Sequence, residues 1–263
     1  MKNRITTYLD SLGKKKLLVP YFTAGFPTMG MTLQYIKAAE CAGCDFVEIG
    51  IPFSDPLADG PEIQYASKVA LDNKTTLNQI FELTQKVRKH SEIPLLFMGY
   101  YNPFLAVGVK KFLQKTADSK VDGLIIPDLP IDESTEIRNL ADKQNISMTY
   151  LVAPTTEKKR IQTINNLTTG FVYAVTVTGV TGSGKKFSPE TDKYLKMLQK
   201  SLNHRFVAGF GVSSPADAKR LAKYSDGVVI GSKLIKIIRE AKTQKSSVTD
   251  IEKFLTGVRK SLS

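Results

Sequence analysis

The sequence is poor in the residues on which thiol and imidazole chemistry depend, and it lacks long apolar runs. Its 263 residues include two cysteines, two histidines and no tryptophan. No apolar run approaches the ~20 residues of a membrane-spanning helix. Neither histidine lies beside a Ser or Cys motif, which disfavours a histidine-based triad. We therefore expect chemistry based on other side chains and no membrane association.

The two cysteines form one Cys-x-x-Cys sequence, Cys41-Ala42-Gly43-Cys44. Such a pair can be a redox disulfide or half of a zinc site, but a zinc site needs further ligands at suitable spacing. There is no second pair, and His90 and His204 are distant in sequence. We interpret the cysteines as packing residues between a helix end and a strand start, and expect no metal site.

The composition is that of a globular chain with an excess of positive charge. Hydrophobic residues make up 42% of the chain, and the net charge is +12. Such a charge raises nucleic-acid binding as a hypothesis. However, the lysines are dispersed over helical segments, only Lys14–Lys16 cluster, and no aromatic residues interleave with them. We expect no nucleic-acid partner. The segment Met1–Tyr8 has no apolar signal-peptide region, so we expect a cytoplasmic protein.

Short apolar runs alternate with segments of helical periodicity along the whole chain. The predicted strands are Leu17–Thr23, a run beginning at Phe46, Pro94–Tyr100, Asp122–Asp128, Ser147–Pro154, Gly170–Val177, Arg205–Phe210 and Asp226–Gly231. The predicted helices are 7–12, 32–42, 61–73, 76–90, 104–117, 132–144, 156–167, 189–202, 214–224, 232–242 and 248–261. Eight strand-then-helix units predict an α/β fold, one (β/α)8 TIM barrel domain over residues 1–263 with extra short helices. A doubly wound open sheet is the alternative.

The segment from Phe46 to Pro61 joins a buried strand to a loop with three prolines and two aspartates. Glu48 is the only charge in that strand, and an unpaired buried carboxylate costs several kcal/mol unless its pKa rises or water reaches it. Together with Asp59 on the loop, Glu48 forms a pair of acids in unlike environments, an arrangement suited to proton transfer. The alternative is a core glutamate paired with a lysine, followed by an ordinary turn.

The ends of the last two strands predict an anion site. They read Gly209-Phe210-Gly211 and Gly231-Ser232. Barrels frequently bind phosphate at this position through loop amides and a helix N-terminus. The alternative is that strand ends simply favour glycine and serine. The segment Thr178–Lys186 resembles a nucleotide-binding loop, but Lys186 stands where a hydroxyl is needed. We favour a mobile lid, with a plain flexible loop as the alternative.

Several large apolar side chains are predicted at the strand ends. They are Tyr21, Phe22, Met98, Tyr100, Tyr173 and Phe210. They either form the floor of a flat apolar pocket or fill the barrel. In a barrel the carboxyl ends of the strands meet at one mouth, so Glu48, Asp59 and Asp128 are expected there too.

The segment from Phe46 to Pro61 closely resembles the signature of the tryptophan synthase alpha subunit family. Tyr173 with Thr178–Gly182, then Gly209–Gly211 and Gly231-Ser232, are similar to other segments of that family in the same order. The resemblance implies a TIM barrel lyase that cleaves indole-3-glycerol phosphate to indole and glyceraldehyde 3-phosphate by carboxylate acid-base catalysis. It also implies no cofactor in this chain. The implied partner is a beta subunit, in an α2β2 tetramer, that holds pyridoxal phosphate and uses the indole for L-tryptophan synthesis.

The resemblance also assigns roles to individual positions. Glu48 matches the proton-transfer residue, Asp59 the residue assisting at the indole nitrogen, and Asp55 a loop residue facing the beta subunit. Phosphate-binding positions match Gly182, Gly211, Gly231 and Ser232. Positions around the indole or its loop match Tyr21, Tyr100, Tyr173, Thr181 and Phe210. The chain departs from the family at Ser183–Lys186, where many members have an Ala-Arg-like continuation.

Other functions stay open at this stage. Another phosphate-sugar barrel, such as an isomerase or epimerase, would share the anion site but not the acid pair. A non-catalytic subunit that activates a partner would not need the two acids.

Overall fold

The computed structural model describes residues 2–176, 188–209 and 211–263. Within these ranges the chain forms nine strands, twelve α-helices and one 3-10 turn, Ile131–Glu133. The strands are β1 (Leu17–Thr23), β2 (Val47–Gly50), β3 (Leu95–Met98), β4 (Gly123–Ile125), β5 (Ser147–Thr149), β6 (Leu151–Val152), β7 (Val172–Val175), β8 (Phe206–Gly209) and β9 (Gly227–Ile230). The helices are α1 (Arg4–Ser11), α2 (Met29–Cys41), α3 (Pro61–Asp72), α4 (Leu77–Arg88), α5 (Tyr101–Val107), α6 (Val109–Asp118), α7 (Thr135–Lys143), α8 (Lys158–Leu167), α9 (Pro189–Ser201), α10 (Pro215–Ala222), α11 (Ser232–Glu240) and α12 (Gln244–Ser261).

The strands form one parallel sheet that closes on itself. Its order is β5-β4-β3-β2-β1-β9-β8-β7-β6. The two end strands, β5 and β6, are separated in sequence only by Tyr150. The Tyr150 carbonyl accepts a hydrogen bond from the Tyr173 N–H at 2.9 Å. β5 and β6 are therefore two parts of the predicted strand Ser147–Pro154, interrupted at Tyr150, and the sheet closes through this strand. This closure confirms the predicted TIM barrel.

Two predicted helices differ from the observed ones in their interior. The predicted helix 104–117 is two helices, α5 and α6, because Gly108 between them has φ +89°, a conformation that ends a right-handed helix. The segment 132–144 divides into the 3-10 turn and α7. Four helices, α1, α2, α5 and α12, also begin three or four residues earlier than predicted. The side chains of Asn3, Thr28 and Thr243 cap the first turns of α1, α2 and α12 by accepting from backbone N–H groups.

Alternate strand residues face the helices and the barrel interior, and they form two separate cores. Leu18, Val47 and Phe97 belong to the core between strands and helices. The interior core contains Leu17, Val19, Phe46, Leu96, Ile125, Phe171, Tyr173, Val207 and Val229, and Ile5 of α1 joins it. The rings of Phe46 and Phe171 stack inside the barrel with centroids 5.6 Å apart. Aromatic rings and α1 thus fill the end of the barrel at which the strands begin.

Two buried acids at this same end are fully paired. Asp122 accepts hydrogen bonds from Arg88 at 2.6 Å, from Arg4 at 3.1 Å and from the Leu95 N–H at 2.9 Å. Asp45 is bound in the same manner by Lys15, Arg259 and the Leu18 N–H. Each acid lies just before a strand, so both serve to fix the strand starts.

Replacing Asp122 by alanine is expected to lower the free energy of unfolding by about 3–5 kcal/mol, because the buried Arg88 guanidinium would lose its carboxylate partner. Urea unfolding measures the change. The matched control is Asp72→Ala, because Asp72 and its partner Lys68 are both largely exposed. It should cost less than about 1 kcal/mol. Equal costs for the two variants would contradict the structural role of Asp122.

Over the described ranges, no helix is both long and apolar enough to cross a membrane.

Candidate active site

Glu48 lies on β2 and faces the barrel interior. The strand register places it in one layer with inward residues of β4, β7 and β9, namely Ile125, Tyr173 and Val229. Such layers of four side chains from alternate strands are typical of this fold. Since β7 stands opposite β2 in the closed row, Tyr173 faces Glu48 across the barrel. Glu48 is therefore the one acid in an otherwise uncharged layer.

The Glu48 carboxyl is buried without a partner. Its side chain is 0% exposed, and neither carboxyl oxygen has a hydrogen-bond partner among the described residues. The alternative of a core glutamate paired with a lysine is therefore wrong. Burial raises the pKa of Glu48 to about 8. Near neutral pH this group is mostly protonated, whereas the buried acids at the other end of the barrel are held by cations.

Asp59 lies on the loop between β2 and α3 and is 8% exposed. Burial raises its pKa to about 6, while the hydrogen bond donated by the Tyr100 hydroxyl acts in the opposite direction. Asp59 is therefore mostly ionised near neutral pH. The two acids thus differ in protonation state because their surroundings differ, as sequence analysis predicted for the pair.

Both carboxyl groups act on the same two tyrosines. Burial raises the pKa of the Tyr21 and Tyr173 hydroxyls, and the charges of Asp59 and Glu48 raise both further. A Cβ atom at Gly50 would collide with the Tyr21 hydroxyl, and one at Gly209 with the Tyr173 hydroxyl. The two glycines therefore leave room for the tyrosine rings, and the electrostatic coupling places the acids close to both tyrosines.

The other predicted pocket residues divide into three groups. Tyr100 is buried at the end of β3, and Met98 packs against the interior core. Phe22 points the other way, because it alternates with Tyr21 along β1 and stacks on Tyr35 of α2 with centroids 5.8 Å apart. A pocket role for Phe22 is therefore wrong. Thr181 and Phe210 lie outside the described residues, as does the predicted lid over 178–186.

The predicted anion site lies at the N-terminus of α11. Gly231 is the N-cap and provides no side-chain cap, and Ser232 is the first helical residue. The first N–H groups of a helix have no acceptor within it, so they can bind an anion. Gly211, after β8, has φ +82°, which favours glycine. Gly182, the fourth predicted position, lies outside the described residues.

The predicted anion site lies beside the Tyr21 side chain. A Cβ atom at Gly231 would lie 3.4 Å from Cδ1 of Tyr21. One face of the Tyr21 ring thus borders the helix terminus, while its hydroxyl lies near Gly50 and both acids. The Tyr21 side chain therefore lies between the two acids and the N-terminus of α11.

The loop that carries Asp59 also has an exposed outer face. Asp55 is exposed, and Leu57 is 90% exposed, a large apolar side chain in water. Leu105 on α5 is 50% exposed. Sequence analysis singled out Asp55 but missed both leucines. The exposure of Leu57 depends on loop geometry that carries no periodicity, and Leu105 lies on α5, a short helix that the sequence did not separate from α6.

Two further features could not be found in the sequence. Asp128, predicted at the mouth, accepts hydrogen bonds from the Tyr101 N–H at 3.0 and 3.2 Å and so fixes the start of α5. Thr149 is buried on β5, and its hydroxyl has no partner among the described residues.

Among the described residues, no three His, Cys, Asp or Glu side chains form a group that could hold a metal ion.

Comparisons with known proteins identify one family over nearly the whole chain. Residues 10–262 match the family model described as tryptophan synthase alpha chain. The alpha chain of Caldanaerobacter subterraneus subsp. tengcongensis is 39% identical over 99% of this chain and 100% of its own length. The alpha chain of Leptospira biflexa is 37% identical over the same shares.

Solved structures give the same result. The tryptophan synthase subunit alpha of Legionella pneumophila superposes with a TM-score of 0.92 at 32% identity, covering 100% of this chain and 99% of that one. A chain from the tryptophan synthase α2β2 complex of Pyrococcus furiosus superposes with a TM-score of 0.86 at 35% identity, covering 93% and 98%. Sequence and fold agree over nearly the full length, and the chain belongs to the tryptophan synthase alpha chain family.

Proposed function

We propose that this chain cleaves indole-3-glycerol phosphate to indole and glyceraldehyde 3-phosphate, with Glu48 moving the protons and Asp59 holding the indole nitrogen. The observation that supports this best is the pair of unlike acids. A buried carboxyl with a pKa of about 8 and no hydrogen-bond partner among the described residues acts on the same two tyrosines as a mostly ionised one. One group is thereby ready to give a proton while the other carries negative charge.

The first step is protonation of the ring. Protonated Glu48 gives its proton to the indole carbon that bears the glycerol chain. Positive charge then develops at the ring nitrogen, and the Asp59 carboxylate accepts the N–H hydrogen bond and stabilises that charge. Because Glu48 lies among apolar side chains, it favours its neutral form before the step and is a stronger base after it.

The second step breaks the carbon–carbon bond. The Glu48 carboxylate takes the proton of the hydroxyl on the side-chain carbon attached to the ring. That carbon becomes the aldehyde carbon, and the electron pair of the broken bond returns to the ring and restores aromatic indole. Glu48 ends protonated, so the two steps consume no other reactant.

The phosphate keeps the ring in register with the acids. Gly211, Gly231, Ser232 and, by resemblance, Gly182 hold it at the α11 terminus. Holding the tail fixes the distance from the ring to Glu48, which turns the proton transfers into steps within one bound complex. Tyr21 and Tyr173, with Thr181 and Phe210 by resemblance, flank the ring.

The partner is a beta subunit, as in the α2β2 complex of the Pyrococcus relative. It docks on the loop of Asp55 and Leu57, where a large exposed leucine provides apolar surface to bury. In this proposal the beta subunit, not this chain, holds pyridoxal phosphate and receives the indole for tryptophan synthesis. The assembly works in the cytoplasm.

The test is an indole-release assay on the purified chain, alone and with a beta subunit. We expect slow release of indole from indole-3-glycerol phosphate by the chain alone and a sharp rise when the beta subunit is added. No indole under either condition would overturn the proposal, and turnover of another sugar phosphate from a substrate panel would identify the chain as a different phosphate-sugar enzyme.

A further inference from the structure

Tyr100 differs from the other tyrosines of the cavity in how its hydroxyl is used. The hydroxyl oxygen accepts a hydrogen bond from the Ala58 N–H at 2.8 Å. The Asp59 carboxyl on the same loop lies close enough for this hydroxyl, acting as a donor, to lower its pKa. A phenol has a single O–H to donate, so a hydrogen directed at Asp59 is not available to a substrate. Both partners lie on the loop between β2 and α3.

The Tyr100 side chain is itself held from two directions. Its ring packs against Phe53, with centroids 5.3 Å apart, and is 5% exposed. Its backbone directly precedes α5, where the Tyr101 N–H is bound by both carboxyl oxygens of Asp128. The ends of β3 and β4 are thus tied together, and Tyr100 extends from this fixed point to the loop.

We propose that Tyr100 is a positioning residue that holds Asp59 as an anion at the place where the indole nitrogen binds. This inference rests on the proposed function. It assigns a specific task to the Tyr100 hydroxyl, beyond the position of the ring beside the substrate. A donor aimed at a carboxylate favours the charged form. The second bond, from Ala58, fixes the backbone beside Asp59, so the anion is held in place as well as stabilised.

The Tyr100 hydroxyl binds the loop at Ala58, between the buried Asp59 and the exposed Leu57. Ala58 and Asp59 follow directly after Leu57, the exposed side chain on which the partner is proposed to dock. A partner that binds Leu57 would therefore contact the loop one residue from Ala58, which Tyr100 holds, and two residues from Asp59. Loss of the hydroxyl would release this attachment while leaving the ring contact with Phe53 in place.

The experiment compares Tyr100→Phe with Tyr101→Phe, which removes the same atom one residue away and is expected to leave activity unchanged. Turnover is measured between pH 5.5 and 9. For Tyr100→Phe we expect kcat at pH 7 to fall about tenfold to a hundredfold, the loss typical of a hydrogen bond to a charged group, with a smaller change in KM. The acid limb of the pH profile should move to higher pH, because Asp59 loses a donor that lowers its pKa. An unmoved acid limb would overturn the proposal.

A second readout does not depend on turnover. The 13C NMR signal of the Asp59 carboxyl, assigned with Asp59→Asn, gives its titration midpoint, which should rise in Tyr100→Phe and stay in Tyr101→Phe. If the midpoint moves but the wild-type chain releases no indole, the proposed function fails and the Tyr100 link stands. If indole is released and neither the midpoint nor the acid limb moves, the Tyr100 proposal alone is wrong.

Discussion

Glu48→Gln is expected to lower kcat for indole release by about 10²- to 10⁴-fold, the contribution of a positioned general acid and base. Glutamine keeps the size and shape of the side chain but can neither give nor take the proton. Binding of an uncleavable indole phosphate analogue should change little, because the analogue is held by the α11 terminus and the tyrosine walls. Single-turnover rates and analogue titration measure the two quantities separately.

The matched control for this variant is Glu82→Gln, the same change on an exposed position of α4. It should leave both quantities at wild-type values. A Glu48→Gln protein that releases indole at a rate within a few-fold of wild type would remove Glu48 from the mechanism.

Glu48 also predicts an unusual dependence of stability on pH. Its pKa is raised from 4.5 to about 8, so between these values the folded state binds more protons than the unfolded state. The wild-type free energy of unfolding should therefore fall as pH rises through this window. Between about pH 4.5 and pH 7 this decrease in the free energy of unfolding is on the order of 3 kcal/mol, and Glu48→Gln should not show it. Parallel urea unfolding of both proteins at pH 5 and pH 8 measures the difference in slope.

Asp59→Asn is expected to lower kcat about 10²- to 10³-fold, the loss typical of removing one preorganised electrostatic contact to a transition state. Asparagine can still accept a hydrogen bond from the ring N–H but carries no charge against the positive charge at the nitrogen. The wild-type profile of kcat/KM should fall on the acid side through about pH 6, since Asp59 works ionised, and on the basic side through about pH 8, since Glu48 works protonated. Asp59→Asn should lose the acid limb and keep the basic one.

Asp118→Asn on the exposed face of α6 is the matched control for the loss of one carboxylate. Its pH profile should overlay that of the wild type. An Asp59→Asn profile that retains its acid limb would mean that another group, such as the substrate phosphate, produces it, and would contradict the assignment of Asp59.

The fold was predictable because each unit of the barrel has its own local signal. Apolar runs such as Leu17–Thr23 recur with helical segments between them, and glycines such as Gly231 stand where a strand passes into a helix. Details that depend on single residues were not predictable. The division of one predicted helix at Gly108 required a backbone conformation that glycine permits but does not demand.

The site was predictable in part for a related reason. A lone charge in an apolar strand, Glu48, stands out in any sequence, and the loop with Asp59 follows it directly. The direction in which Phe22 points was not evident, because a strand buried on both faces shows no alternation of polar and apolar residues. The bond from the Ala58 N–H to the Tyr100 hydroxyl joins residues on different loops, and no local pattern encodes such a contact.

The most direct test of the central claim is a crystal structure with an uncleavable analogue of indole-3-glycerol phosphate whose side chain lacks the hydroxyl groups. The account predicts the phosphate at the N-terminus of α11, the ring N–H within about 3.2 Å of the Asp59 carboxylate, and the Glu48 carboxyl facing the ring carbon that bears the side chain. An analogue bound with its ring away from both acids, or with its phosphate away from Gly231 and Ser232, would contradict the account.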